Sequence, residues 1–139
     1  MATTSKQHYI AQSMAQPAIR IFIAEDSALI VERVSDLLSD IRGIELVGWA
    51  ANVPAAAMAI EQLNPDAVIL DLKMPGGSGL DLLLALKKQK PATIVIVFTA
   101  LASPQVRQRC NESGANFFLD KSADFEELPS ILRALAAKA

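Results

Sequence analysis

The sequence predicts an α/β fold: one domain on a five-stranded parallel sheet, with helices on both faces. Three observations carry this reading. The runs Ala67–Leu70 and Thr93–Phe98 contain no charged residue, the pattern of strands buried on both faces. Apolar residues at helical spacing lie between the strand-like runs, with connections of only a few residues, as in βαβ units. Right-handed crossovers then distribute the helices over both sides of the sheet. Finally, the apolar runs stop abruptly at polar residues, and open α/β sheets gather their chemistry at the carboxyl ends of their strands.

Residues 1–17 mix Gln, Ser, Thr and Ala without a sustained period and end at Pro17. They read as a flexible or loosely docked leader. The only histidine, His8, lies there with no second ligand nearby in sequence, which argues against a catalytic or metal role. The ordered domain, residues 18–139, starts with a strand over Ala18–Ala24 that stops at Glu25-Asp26. Ser27 is an N-cap for a helix whose apolar face is Ile30, Val34, Leu37, Leu38 and Ile41, with Gly43 as its stop. Ile44–Trp49 is the second strand. Asn52 or Val53 caps the next helix, with Pro54 in its first turn, and Asn64-Pro65-Asp66 is a turn.

The third strand, Ala67–Leu70, ends in Asp71, after which Pro75 and three glycines break the backbone before a helix over Leu80–Lys88. The fourth strand ends at Thr99. Ser103-Pro104 opens a helix to about Ser113 that offers only Val106 and Cys110 as apolar anchors, the weakest packing of any helix in the chain. Asn116–Leu119 is a short fifth strand ending at Asp120-Lys121. The last helix starts near Asp124, whose spacing to Glu127 is a capping-box variant. Pro129 predicts a distorted start or a restart there.

Composition narrows the function classes. The chain of 139 residues is 52% hydrophobic and 20% charged with a formal charge of −2, so no basic excess favours nucleic acid. No apolar run approaches the roughly 20 residues of a membrane span. No signal peptide is visible, and one cysteine excludes an internal disulfide framework. A cytoplasmic protein is expected.

In a parallel sheet Glu25-Asp26, Asp71, Thr99 and Asp120-Lys121 share one edge. Three carboxylates converging there would repel by about 4 kcal/mol per close pair at an effective dielectric of about 20. Lys121 or a hard divalent ion must offset this, and Mg²⁺ suits one or two carboxylates together with phosphate oxygens. A nucleophilic carboxylate, a cation, a Lys and a hydroxyl together suit phosphoryl acceptance.

Glu25-Asp26, Asp71 with Met74-Pro75 and Gly79, Thr99-Ala100 and Lys121, in this order, strongly resemble the receiver domain of two-component response regulators over Ile19–Lys138, in its stand-alone, chemotaxis-regulator-like form. The resemblance implies a flavodoxin-like three-layer α/β/α sandwich of strand order 2-1-3-4-5. It implies Asp71 as phosphoacceptor, Asp26 as a direct Mg²⁺ ligand, Glu25 acting through water and the Lys73 carbonyl as a further ligand. Lys121 would pair with the phosphoryl oxygens and Thr99 would donate its hydroxyl to them. Phe118, at the aromatic switch position, would turn inward as Thr99 moves. The implied partners are a sensor histidine kinase or a histidine phosphotransfer protein upstream and a protein partner downstream, with no direct nucleic-acid or membrane binding and with homodimerisation left open. One departure stands out: receivers commonly have Pro after the lysine, often across a cis bond, where this chain has Ser122. The bond is therefore either trans or strained by about 3–4 kcal/mol.

Taken singly, these residues have plainer readings. Asp71 is a turn former, Glu25-Asp26 favour a helix dipole, Thr99 is a β-branched strand residue, and Lys121 is solvated. Gly76-Gly77-Ser78-Gly79 lacks the Gly-Lys-Ser/Thr of a phosphate loop and reads as a flexible connection. Of Phe117 and Phe118, which alternate across a strand, one belongs to the core; Cys110 packs on a helix face. Besides a phosphoacceptor with only self-phosphorylating and self-dephosphorylating activity, two single-domain readings compete. One is a receiver-fold adaptor that is never phosphorylated. The other is an aspartyl-phosphate hydrolase, disfavoured because Lys73 stands where its second acid belongs. A receiver fragment of a helix-turn-helix regulator is a further alternative.

Overall fold

Strands and helices alternate without exception among the described residues. The computed structural model describes residues 18–138, so the leader and His8 lie outside the described residues. The elements are β1 (Ile19–Ala24), α1 (Ala28–Ser39), β2 (Ile44–Ala50), α2 (Val53–Leu63), β3 (Ala67–Leu70), α3 (Gly79–Gln89), β4 (Ile94–Thr99), α4 (Pro104–Glu112), β5 (Phe117–Asp120) and α5 (Glu127–Ala137). All pairings are parallel and the sheet order is β2-β1-β3-β4-β5. This is the flavodoxin-like arrangement. No helix among the described residues is long and apolar enough to cross a membrane.

The period of two along each strand divides the core into two layers. Phe22, Val68, Leu70 and Val97 point to one side, where Ile60 of α2, Leu83 of α3 and Cys110 of α4 cover them. Ile21, Ile23, Ile69, Ile96 and Phe98 point to the other, under Val34 of α1 and Leu128 and Leu132 of α5. Every residue of β3 is buried, which is why that strand reads as an unbroken apolar run. Of the two adjacent phenylalanines, Phe118 enters the core and Phe117 stays 36% exposed.

The cap residues act where the sequence places them. Ser27, Asn52 and Ser103 accept from Ile30, Ala55 and Val106 N–H, each such cap contributing about 1 kcal/mol. Ser78, not anticipated, caps α3 by accepting from Asp81 N–H, so that helix starts one residue before the expected Leu80.

α5 departs from expectation. It begins at Glu127, and no side chain caps it. The Asp124 carboxylate reaches backward to accept from Asp120 N–H at 2.9 Å, so the capping box with Glu127 does not form. Pro129 then falls at the third helical position, where its missing N–H has no intrahelical acceptor to lose. There is no cis peptide among the described residues, so Lys121–Ser122 is trans.

The glycine connection after Asp71 also differs from a flexible link. Gly76 and Gly77 hold φ of 86° and 152°. A Cβ on Gly79 would stand 2.5 Å from Leu72 Cα and 2.8 Å from Asp71 O, both backbone atoms. Gly79→Ala therefore forces apart the turn leaving β3. We expect it to lower stability by about 1–3 kcal/mol, the usual cost of overpacking, measured by urea denaturation; an unchanged midpoint would refute the close-packing account.

Candidate functional site

The carboxyl edge of the sheet carries its polar residues on backbone that still belongs to the ladder. Glu25 N–H donates to Ala50 O at 3.0 Å, Asp71 N–H to Ala24 O at 2.9 Å, and Lys121 N–H to Thr99 O at 3.0 Å. Each residue thus sits one step past its strand, with its backbone held by the neighbouring strand and its side chain free to turn across the edge.

There the side chains meet. Lys121 Nζ lies 2.5 Å from Glu25 Oε1 and 3.0 Å from Asp71 Oδ2. Glu25 and Asp71 are buried, at 3% and 4% exposure. Ser27 N–H donates to the second oxygen of Glu25 at 2.9 Å, and Lys73 N–H donates to Asp71 Oδ1 at 3.2 Å. Asp26 is exposed, and one ligand atom from each of Glu25, Asp26 and Asp71 falls within 4.8 Å of the others. Burial pushes the Glu25 carboxyl up, against the hydrogen bonds from Lys121 and Ser27. Burial pulls the Lys121 ammonium down, but the hydrogen bonds and charges of Glu25 and Asp71 outweigh it and leave its pKa raised.

Three carboxylates against one ammonium leave a formal excess of two negative charges at this edge. The donor set is all oxygen, the chemistry that suits a hard divalent cation. A metal could be held here, and the residues present fit it.

The other expected residues fall into place around this cluster. Thr99 is fully buried; its Oγ1 accepts from Leu101 N–H at 3.2 Å, and it joins the site through its carbonyl bond with Lys121 rather than through its side chain. The Lys73 side chain is exposed, and its backbone N–H is the part that reaches Asp71. The Phe118 ring is already turned inward, at 7% exposure. The guanidinium of Arg107 on α4 lies 4.5 Å from the ring centroid, a cation–π contact.

Sequence reasoning did not find Arg107 or the Ser27 N–H. Nothing local relates a residue of α4 to one eleven positions later on β5. Ser27 was legible as a cap, but a backbone donor leaves no trace in residue identity.

Comparison with known proteins places the chain in a family. The sequence matches the family described as "Response regulator receiver domain" over residues 21–133. The transcriptional regulatory protein YvfU of Bacillus subtilis (strain 168) is 34% identical over 115 residues, which cover 83% of this chain and 58% of that protein. Response regulator GacA of Pseudomonas aeruginosa is 29% identical over 119 residues, covering 86% of this chain and 56% of its own. This chain therefore spans just over half the length of these curated relatives. The signal receiver domain of the putative response regulator NarL from Mycobacterium tuberculosis superposes with a TM-score of 0.78 at 27% identity, covering 88% of this chain and 98% of that one. With the 2-1-3-4-5 sheet and the acid–lysine cluster at its carboxyl edge, the chain belongs to the response regulator receiver domain family.

Proposed function

We propose that the protein takes a phosphoryl group from a histidine kinase or histidine phosphotransfer protein onto Asp71, and that this modification alters a partner-binding surface. The observation that carries the reading is the Lys121 ammonium shared between Glu25 and Asp71, beside a third carboxylate, Asp26. A buried carboxylate at a strand end, faced by a fixed cation, is positioned both to attack phosphorus and to have the incoming charge neutralised.

In the transfer, a carboxylate oxygen of Asp71 forms the new P–O bond as the P–N bond to the donor imidazole breaks. The leaving nitrogen takes up a proton, and the product is an acyl phosphate. Lys121 gives up its hydrogen bond to the Asp71 oxygen in favour of the phosphoryl oxygens, and its contact with Glu25 keeps it at the edge. Thr99, whose Oγ1 accepts from Leu101 N–H, has its hydroxyl proton left to donate to a phosphoryl oxygen. Asp26, Asp71 and the Lys73 carbonyl would hold Mg²⁺; Glu25, whose two oxygens are already engaged by Lys121 and Ser27, would act through water. When bound, Mg²⁺ supplies the charge neutralisation of the transferring phosphoryl oxygens. Water returns Asp71 to the carboxylate in time. Lys73 stands two residues after the nucleophile, where an aspartyl-phosphate hydrolase has the acid that drives turnover of other phosphate esters, so the domain signals rather than hydrolyses. Its contacts are with proteins, and its place is the cytoplasm.

Incubation with Mg²⁺ and a small phosphodonor is expected to add one phosphoryl group by intact-protein mass spectrometry, to none of the Asp71→Asn protein, and to none of the wild type once EDTA is present. A folded wild-type protein that gains no mass would sink the proposal. Lys121→Met removes the cation and should slow the same reaction by roughly 10²-fold, the usual cost of losing one fixed donor to developing negative charge; an unchanged rate would remove Lys121 from the chemistry. Equal partner affinity of the wild type and Asp71→Asn, with and without donor, would favour a phosphorylation-independent adaptor instead.

A further inference from the structure

Lys121 reaches two acids across the sheet edge from a loop that has neither a strand on its far side nor a proline to stiffen it. What stiffens it is a ring of hydrogen bonds drawn around the lysine's own backbone. Asp120 Oδ1 accepts from both Ser122 N–H at 2.9 Å and Ser122 Oγ at 2.7 Å, closing a turn over Lys121. Asp124 closes a second, wider turn in both directions. Its carboxylate accepts from Asp120 N–H at 2.9 Å, and its own N–H donates to Asp120 O at 2.8 Å. The Asp124 carbonyl then accepts from Glu127 N–H at 2.9 Å, so the ring is continuous with the first turn of α5. Lys121 N–H is fixed separately, to Thr99 O at 3.0 Å.

We propose that Asp120, Ser122 and Asp124 are positioning residues for Lys121: their closed hydrogen-bond ring sets the backbone direction that delivers its ammonium between Glu25 and Asp71. Four observations bear on this. The bonds are short, and those between Asp120 and Asp124 are reciprocal. They bracket Lys121 in sequence. They account for Asp124 being diverted from the Glu127 cap that its spacing offers. The Asp120 carboxyl is also held below the usual range, first by the Ser122 hydroxyl and then by the Ser122 N–H, in keeping with the two bonds it accepts. Residues that set a functional side chain to within a fraction of an ångström commonly do so through such supporting bonds.

The consequence for phosphoryl transfer rests on the function proposed above, whereas the consequence for Lys121 does not, and the experiment separates them. Amine acylation, quantified residue by residue by mass spectrometry, reads how firmly each lysine is held. Lys87, whose Nζ donates to Pro91 O, Thr93 O and Asn116 Oδ1, serves as the reference for an intact fold. Ser122→Ala and Asp124→Ala should each raise labelling of Lys121 about two- to tenfold, the range that loss of one hydrogen bond corresponds to, with Lys87 unchanged. Asp124→Asn keeps an acceptor for Asp120 N–H and Ser122→Thr keeps the hydroxyl, and both should label like the wild type. Wild-type labelling in both alanine variants would overturn the proposal, as would Asp124→Asn labelling as strongly as Asp124→Ala. The initial rate of Asp71 phosphorylation from a small phosphodonor should fall in the alanine variants by the same factor and recover in the conservative ones. If the labelling responds while the wild type takes up no phosphoryl group, the positioning role stands and the phosphoacceptor reading fails.

Discussion

The Lys121 ammonium, shared by two buried carboxylates, is the interaction on which the rest of this molecule depends. Glu25 and Asp71 lie on adjacent parallel strands, and burial at 3% and 4% exposure denies them the solvent that would otherwise screen their repulsion. Two unit charges about 4 Å apart at an effective dielectric of about 20 repel by about 4 kcal/mol. A cation between them adds two attractions that offset this repulsion, and Lys121 supplies it. The arrangement is not a means of stabilising the fold, since a well-packed apolar set of similar volume would serve at least as well. What it leaves unsatisfied is an all-oxygen edge with excess negative charge, the donor chemistry by which a divalent cation could be held.

The fold supplies this edge by topology. Residues 25, 71 and 121 are distant in sequence, and only parallel strands with crossover helices can bring their strand ends together. The sheet therefore had to be parallel. Parallel strands must then be covered on both faces, and the two apolar layers follow from that requirement. The tight Gly79 serves the same end, because it lets the chain double back against Leu72 and start α3 without displacing Asp71.

The elements visible in the sequence were those fixed by local chemistry or by apolar period. β3 and β4 announce themselves as uninterrupted apolar runs, and Ser27, Asn52 and Ser103 as caps beside helical patterns. The edge order followed from the strand ends, and the placement of Glu25, Asp71 and Lys121 in one cluster agrees with it. Illegible were the choices between equivalent local options. Asp124 had two N–H groups within reach; its carboxylate took Asp120 N–H and its carbonyl took Glu127 N–H, a division that spacing alone does not show. Gly79 looked like a hinge because sequence does not show which backbone lies 2.5 Å from an absent Cβ. Arg107 on Phe118 was invisible for the same reason, since it joins two elements whose packing no local pattern encodes.

That last contact bears on how a change at Asp71 would reach the surface. α4 buries a single residue, Cys110, and half-buries Val106, and the exposed Arg107 adds its stacking on Phe118, a contact of about 0.5–1 kcal/mol. Arg107 also donates to Phe118 O at 3.4 Å, close to the limit of a useful hydrogen bond. Phe118 lies on β5, whose last residue precedes Lys121, and pairs with Val97, two residues before Thr99. The strand that leads into the site's cation therefore also receives the Arg107 side chain of α4. The Phe118 ring already points inward, at 7% exposure, with Arg107 of α4 stacked on it. A helix with so little apolar anchoring has a low free energy of local displacement, and small changes at such a tether are the kind that shift a two-state surface.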